Sequence, residues 1–362
     1  MGIGLARFGF SPLIPALVHA GWFAAAPADY LSATNLVGYV LGAWMAGRHL
    51  AHRRPGGWVR MAMLVAAASF LVCARPGPFI WFFAWRLLAG IAAGWLMVLA
   101  IPYILERTPF EHRGLVGGVI FAGIGSGMVI AGAAVPRLVA ISLPAAWLGM
   151  GGGCFVVTAL VWPYWRDDAV TPRKSAASVP VTFPAPLRYL IVAYCANAIG
   201  FVPHSLFWVD YIARELGRGL RAGGAAYLVF GLAALVGPSI LGWIGDRRGR
   251  RGTLAVALLV EAAAVALPLL GSSPALLAAS GILVGGCAIG VTSLTSARTV
   301  ALTPEGQATR IWGWMTIGFA VAYAAAGAGL AALYAATGSY RPVFGVAALV
   351  LAAGSWFALR AR

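Results

Sequence analysis

The sequence predicts an all-α integral membrane protein with twelve transmembrane helices in two pseudo-symmetric six-helix bundles. Three observations predict it. Of the 362 residues, 61% are hydrophobic and only 10% charged, and the mean hydropathy is +0.86. A soluble domain carries about a quarter charged residues, so the bilayer must solvate most of these side chains. Apolar stretches of about 17–25 residues recur along the whole chain, each long enough to cross a bilayer as a helix. Finally, short marks repeat at an offset of about 195–200 residues, as expected of duplicated halves.

The spans fall at 1–21, 28–47, 59–74, 79–105, 115–136, 145–165, 187–211, 223–245, 252–270, 275–300, 311–335 and 342–359. Their unbroken apolar length argues for helices, since barrel strands alternate and are about half as long. Span 1 carries Arg7 in its middle and lacks a basic leader and a small-residue cleavage site, so it reads as a span and not as a cleaved signal. It is either a short first helix or one whose start lies upstream of Met1. Asp29 reads as the N-terminal cap of span 2.

The halves are 1–165 and 187–362, joined by a polar, Pro- and Ser-containing linker at 166–186. Leu41-Gly42 and Leu241-Gly242 each close the second span of a half. Thr108-Pro109 before Arg113, and Thr303-Pro304 before Arg310, each lie between its fourth and fifth spans.

The net charge of +16 resides in Arg residues of short loops beside the spans. That is an orientation signal, and no basic stripe with interleaved aromatics offers a nucleic-acid surface. Most basic residues fall on the side of both termini and the linker, so N- and C-termini are expected in the cytoplasm of a bacterial inner membrane. A bacterial source follows from codon bias: Lys174 is the only lysine, and Ala and Gly abound. Cys73, Cys154, Cys195 and Cys287 lie apart within apolar runs, so neither a disulfide framework nor a metal site is expected, and no cofactor. No nucleotide-binding loop, nucleophile elbow or zinc-protease motif occurs, which excludes an ATP-driven pump.

Between spans 8 and 9 the chain reads Gly-Trp-Ile-Gly-Asp-Arg-Arg-Gly-Arg-Arg, Gly242 to Arg251. Gly242 and Gly245 permit close helix packing, and Gly249 a tight turn. Arg247, Arg248, Arg250 and Arg251 suit an anionic leaflet. Asp246 has no orienting purpose there, but an acid can face the positive N-terminal end of a neighbouring helix. The matching first-half loop has Ala46 where the acid would stand, so its latch is expected to be missing. The loop pattern resembles that of the major facilitator superfamily of secondary transporters. That resemblance implies that Asp246 lies beside the start of span 5, near Arg113–Gly117, and that Gly242, Asp246, Arg247, Gly249, Arg250 and Arg113 form a gating loop.

Arg86, followed by Gly90 and Gly94, resembles the superfamily's intramembrane arginine. Such a residue costs about 2.5–3.5 kcal/mol on insertion scales and persists only beside a wet cavity or a partner. The run around Arg7 and the segment Gly231–Gly242 are similar to the YbfB/YjiJ-like permease branch. Span 5 holds Gly123, Gly125, Gly127 and Pro136, similar to an antiporter motif but without its Gly-Pro pair. The resemblance implies a substrate at mid-membrane between spans 1, 4, 7 and 10.

The binding candidates are Arg7, Arg86, Tyr103, Asn197, His204 and Trp208. His204, Asp210 and Glu261 are candidates for proton coupling. A packing role for His204 and an ion pair of Asp210 with Arg214 remain open beside it. Helix 10 adds Thr292, Ser293, Thr295 and Ser296, which bond their own backbone or line a path. The reading is a monomeric, proton-coupled secondary carrier of a small organic anion, with lipid as its other partner. Alternatives are a proton-driven exporter of amphipathic compounds, favoured by the aromatic load, and a membrane enzyme or sensor without transport.

Overall fold

The computed structural model describes residues 4, 10, 13–23, 25–50, 55–165, 183–304 and 307–361. Arg7 and most of the expected linker lie outside the described residues. So does about half of the first span, of which the short helix α1 (Ile14–His19) is described. There follow α2 (Ala25–Met45), α3 (Pro55–Val72), α4 (Phe79–Glu106), α5 (Arg113–Ile141), α6 (Leu143–Val161), α7 (Ala185–Glu215), α8 (Gly219–Arg248), α9 (Arg250–Leu270), α10 (Pro274–Leu302), α11 (Ala308–Thr337) and α12 (Arg341–Arg360). Ten of these are long and apolar enough to cross a membrane, and the described residues contain no strand.

Most helices outrun the expected spans, because an apolar window detects only the part in hydrocarbon while backbone bonding continues into the interface. The α8–α9 connection shrinks to Gly249 alone, at φ +91°. That left-handed backbone suits glycine. Asp29 is a correction: α2 starts at Ala25, so position 29 lies inside the helix and is not its cap.

Among the described residues, wide π turns follow α2 (Ala46–Leu50) and interrupt α4 at Leu96–Ala100 and α7 at Pro203–Phe207 and Tyr211–Glu215. In α7 the first π turn opens on Pro203, which lacks the N–H an α turn would use.

By contact the described residues form two units. One gathers those within Met1–Ile104, Ser126–Val181 and Pro304–Ile317; the other those within Leu105–Gly125, Thr182–Thr303 and Gly318–Arg362. The division cuts α5 and α11, whose first segments each belong with helices of the other half.

In the first unit α2 and α4 cross at near backbone contact. A Cβ at Gly90 would strike the Asn35 carbonyl, and one at Gly94 would lie 2.7 Å from the Ala43 nitrogen. Small residues let helices approach this closely in lipid. Phe10, Phe70 and Phe82 pack around the buried Trp147, at centroid distances of 5.9, 5.8 and 5.8 Å. The second unit repeats the device between α8 and α10, where Gly237 meets Gly286 and Gly285 meets the Phe230 carbonyl. There α9 packs on α10 and α12, and α12 on α7.

Candidate functional site

Three places concentrate polar chemistry, each within one unit. The first is the α8–α9 loop. The Asp246 carboxylate accepts the backbone N–H of Gly114 at 2.8 Å and of Leu115 at 2.7 Å, both in the first turn of α5. These are donors that a helix start leaves without intrahelical partners, and the carboxylate also meets the positive end of the helix dipole. Arg250 pairs with the same carboxylate at 2.7 Å. Its Nη2 also donates to the Phe110 carbonyl, and its guanidinium lies 4.4 Å over the Phe110 ring. Gly242 and Gly114 are in backbone contact, so neither tolerates a Cβ. Of the other residues in the sequence reading, Arg113 turns to the Thr108 carbonyl, at 3.1 Å, and Arg247 stacks on Trp243, at 4.0 Å. Arg247 thus stands apart from the carboxylate. Phe110, Gly114 and Leu115 complete the cluster instead.

The second place is Arg86. Its side chain is 1% exposed, and its guanidinium carbon sits 4.3 Å above the Phe10 ring. Its Nε has no hydrogen-bond partner, and among the described residues no carboxylate pairs with it. Asn35 donates to the Arg86 backbone carbonyl at 3.1 Å, fixing α2 to α4 at this level. A buried guanidinium without a counter-charge favours an anion strongly.

The third is the α7–α10 seam. Asn197 is 1% exposed; its amide donates to the Ala288 carbonyl at 3.2 Å and reaches the Thr292 hydroxyl at 3.4 Å, while its Oδ1 has no partner among the described residues. Tyr194 stacks near Phe319 at 4.6 Å, and Ser205 meets the Tyr323 hydroxyl at 3.0 Å.

The family described as "Uncharacterised MFS-type transporter YbfB" matches residues 1–359. The chain belongs to this family. Similar curated relatives include two described as "Probable nitrate/nitrite transporter NarK2" from Mycobacterium tuberculosis strains H37Rv and CDC 1551. Each is 29% identical over 225 residues, 58% of this chain and 55% of the relative. The chain thus matches about half the length of these relatives. Among solved structures, a bacterial homologue of the iron transporter ferroportin in an outward-facing state superposes with TM-score 0.74 at 15% identity, covering 99% of this chain and 97% of that one. The proton:xylose symporter XylE with a bromodeoxyglucose superposes with TM-score 0.75 at 14% identity, covering 98% and 92%. These likenesses are of fold.

Several candidates take other places in this family member. Tyr103 lies seventeen residues beyond Arg86 on α4, about 25 Å along the axis, and packs on Trp165 at 5.6 Å. The two cannot grip one small solute. His204 and Trp208 are both 0% exposed and stack on each other at 4.3 Å among Phe230 and Phe344. His204 Nε2 bonds the Ser280 hydroxyl at 2.8 Å, and Ser280 donates to the Ala264 carbonyl at 2.7 Å. Both residues tie α7 to α8, α10 and α12. Asp210 accepts from Arg214 and from the Tyr340 hydroxyl, each at 2.6 Å, and joins the α7 end to the turn before α12. The Tyr340 hydroxyl is pushed up from its ordinary pKa by burial and by that carboxylate. Glu215, absent from the sequence reading, accepts the Tyr340 N–H at 2.8 Å and the Ser339 hydroxyl at 3.0 Å. Glu261 is 0% exposed, and neither carboxyl oxygen has a hydrogen-bond partner among the described residues.

Proposed function

We propose that this chain is a secondary carrier that moves a small anion across a bacterial inner membrane by alternating access of two six-helix halves, 1–165 and 187–362. Arg86 supplies the counter-charge. The observation that carries this reading is the buried guanidinium with a free Nε and no paired carboxylate among the described residues. The nitrate/nitrite transporter name of the NarK2 relatives supports an anion and extends the class from small organic anions to small inorganic oxyanions. Within the second unit, Asn197 and Thr292 are polar groups in mutual contact at 3.4 Å. Glu261 is the proton-coupling candidate of this scheme, since His204 and Asp210 are committed to neighbours. Both termini face the cytoplasm, in line with the Arg bias of the loops.

Proteoliposomes containing the purified chain test this reading. Nitrate, nitrite and short carboxylates are offered with and without an imposed pH gradient. Uptake of at least one anion, accelerated by the gradient and lost in Arg86→Ala, is expected. Failure of every anion, with gradient-driven movement of a cationic dye, would replace this reading with the exporter.

A further inference from the structure

The first half lacks the acid that Asp246 supplies in the second, and the structure offers something else in its place. Ala46 is fully buried at the end of α2. Next to it, Gly47 faces Gly313 of α11: a Cβ on Gly313 would meet the Gly47 Cα at 3.2 Å, the Ala43 carbonyl at 3.5 Å and Val98 Cγ1 at 3.5 Å. The preceding residue, Trp312, is 0% exposed, and its indole Nε1 donates to the Met97 carbonyl of α4 at 2.9 Å. All of these residues belong to one unit.

The Met97 carbonyl is available for a reason written in the sequence. It lies in the π turn Leu96–Ala100, where a carbonyl pairs with the N–H five residues on. Five residues after Met97 stands Pro102, which has no N–H. A buried carbonyl left over in this way needs another donor. Trp312 brings an indole N–H, a donor with no acceptor function.

We propose that the Trp312 indole and the Met97 carbonyl form a reversible clasp that gates the carrier in place of the missing acid. The clasp holds the first turns of α11 on the ends of α2 and α4 and releases them during the transport cycle. This rests on the carrier reading for its role. A neutral bond suits release, whereas Asp246 engages two amides and an arginine, and charge-assisted bonds are about twice as strong.

The test reads helix separation and needs no transported solute, so its failure is distinct from failure of the anion reading. Ala46→Cys is introduced into a chain whose four native cysteines are replaced by Ala, and the protein is reconstituted in liposomes. The rate of N-ethylmaleimide labelling at position 46 is measured. Trp312→Phe keeps an aromatic side chain and removes the donor; labelling should quicken about five- to tenfold. Trp314→Phe, at a residue that is 45% exposed, should leave the rate unchanged. Pro102→Ala restores an N–H that competes for the Met97 carbonyl, and should quicken labelling about twofold. It decides the matter by itself if Trp312→Phe does not insert. Equal rates in Trp312→Phe and the parent, or in Pro102→Ala and the parent, would overturn the clasp, as would an equal effect of Trp314→Phe.

Discussion

Asp246 holds the backbone amides of Gly114 and Leu115 with its two carboxylate oxygens, at 2.8 and 2.7 Å, so one side chain of α8 caps the first turn of α5. Both residues of the Asp246–Arg250 pair are nearly buried, at 9% and 7% side-chain exposure, so salt screens the arrangement little. Asp246→Asn removes the charge and leaves one acceptor oxygen. The expected loss is about 1–2 kcal/mol, a factor of about 5–30 in local opening. Hydrogen exchange in a peptide covering 113–118 should quicken by that factor. Arg247→Ala, at a side chain stacked on Trp243, should leave it unchanged. Equal exchange in Asp246→Asn and the parent would reduce the loop to an orientation signal.

The spans were legible in the sequence because apolar length is a local pattern; the place of Asp246 at the start of span 5 followed from the loop's resemblance to that of the superfamily. The fate of the α7 and α4 side chains was not legible. Each π turn inserts a residue into the helical repeat and rotates everything beyond it by about 100°. Trp208 follows the α7 turn that opens at Pro203, His204 lies within that turn, and Tyr103 follows the α4 turn at Leu96–Ala100. A face read at 3.6 residues per turn from Asn197 or Arg86 is wrong by that rotation. Pro203 and Pro102 were the available signals. Likewise Glu215 looks like a loop acid until the fold brings Ser339 and Tyr340 beside it.

Arg86→Lys retains charge but loses the planar fork and its contact with the Phe10 ring. Anion uptake in proteoliposomes should fall about tenfold or more in Lys and be absent in Ala, with both variants inserted. The split matters: a purely structural arginine would lower the yield of folded protein without a selective loss of uptake. Wild-type rates in Arg86→Ala would remove Arg86 from the substrate path.

His204→Phe keeps the stack on Trp208 and removes the ring nitrogen bonded to the Ser280 hydroxyl, whose bond to the Ala264 carbonyl remains. The expected cost is about 1–3 kcal/mol of stability, visible as a lower melting temperature in detergent. The pH profile of uptake should keep its shape, because the ring is 0% exposed and its Nε2 is bonded to Ser280. A shifted profile with unchanged melting would return His204 to the proton-coupling candidates.

Tyr340→Phe and Glu215→Gln probe the pins between the end of α7 and the turn before α12. Each removes one partner of a part-buried bond, at a cost of about 0.5–1.5 kcal/mol. Together they should lower the melting temperature more than either alone, and leave the KM for the transported anion unchanged. A change in KM without a change in melting would contradict a structural role for these pins.

Glu261 separates coupling from packing. A carboxyl with no exposure and no hydrogen-bond partner is costly as an anion, so it is retained either for a proton or at the expense of stability. If it carries the coupling proton, Glu261→Gln keeps shape and polarity but cannot titrate. Uptake driven by a pH gradient should be lost, while exchange of labelled for unlabelled anion at equal pH on both sides continues near the parent rate. If the residue only packs, Glu261→Gln should behave as the parent in both assays, and Glu261→Leu should raise the melting temperature, as replacement of buried charge by apolar volume often does. We expect the first pattern, because His204 and Asp210 are spoken for by Ser280, Arg214 and Tyr340, which leaves Glu261 as the candidate acid free to change its proton. Loss of exchange together with gradient-driven uptake would mean that Glu261 serves the fold or the anion path, and the coupling proton must then be sought elsewhere.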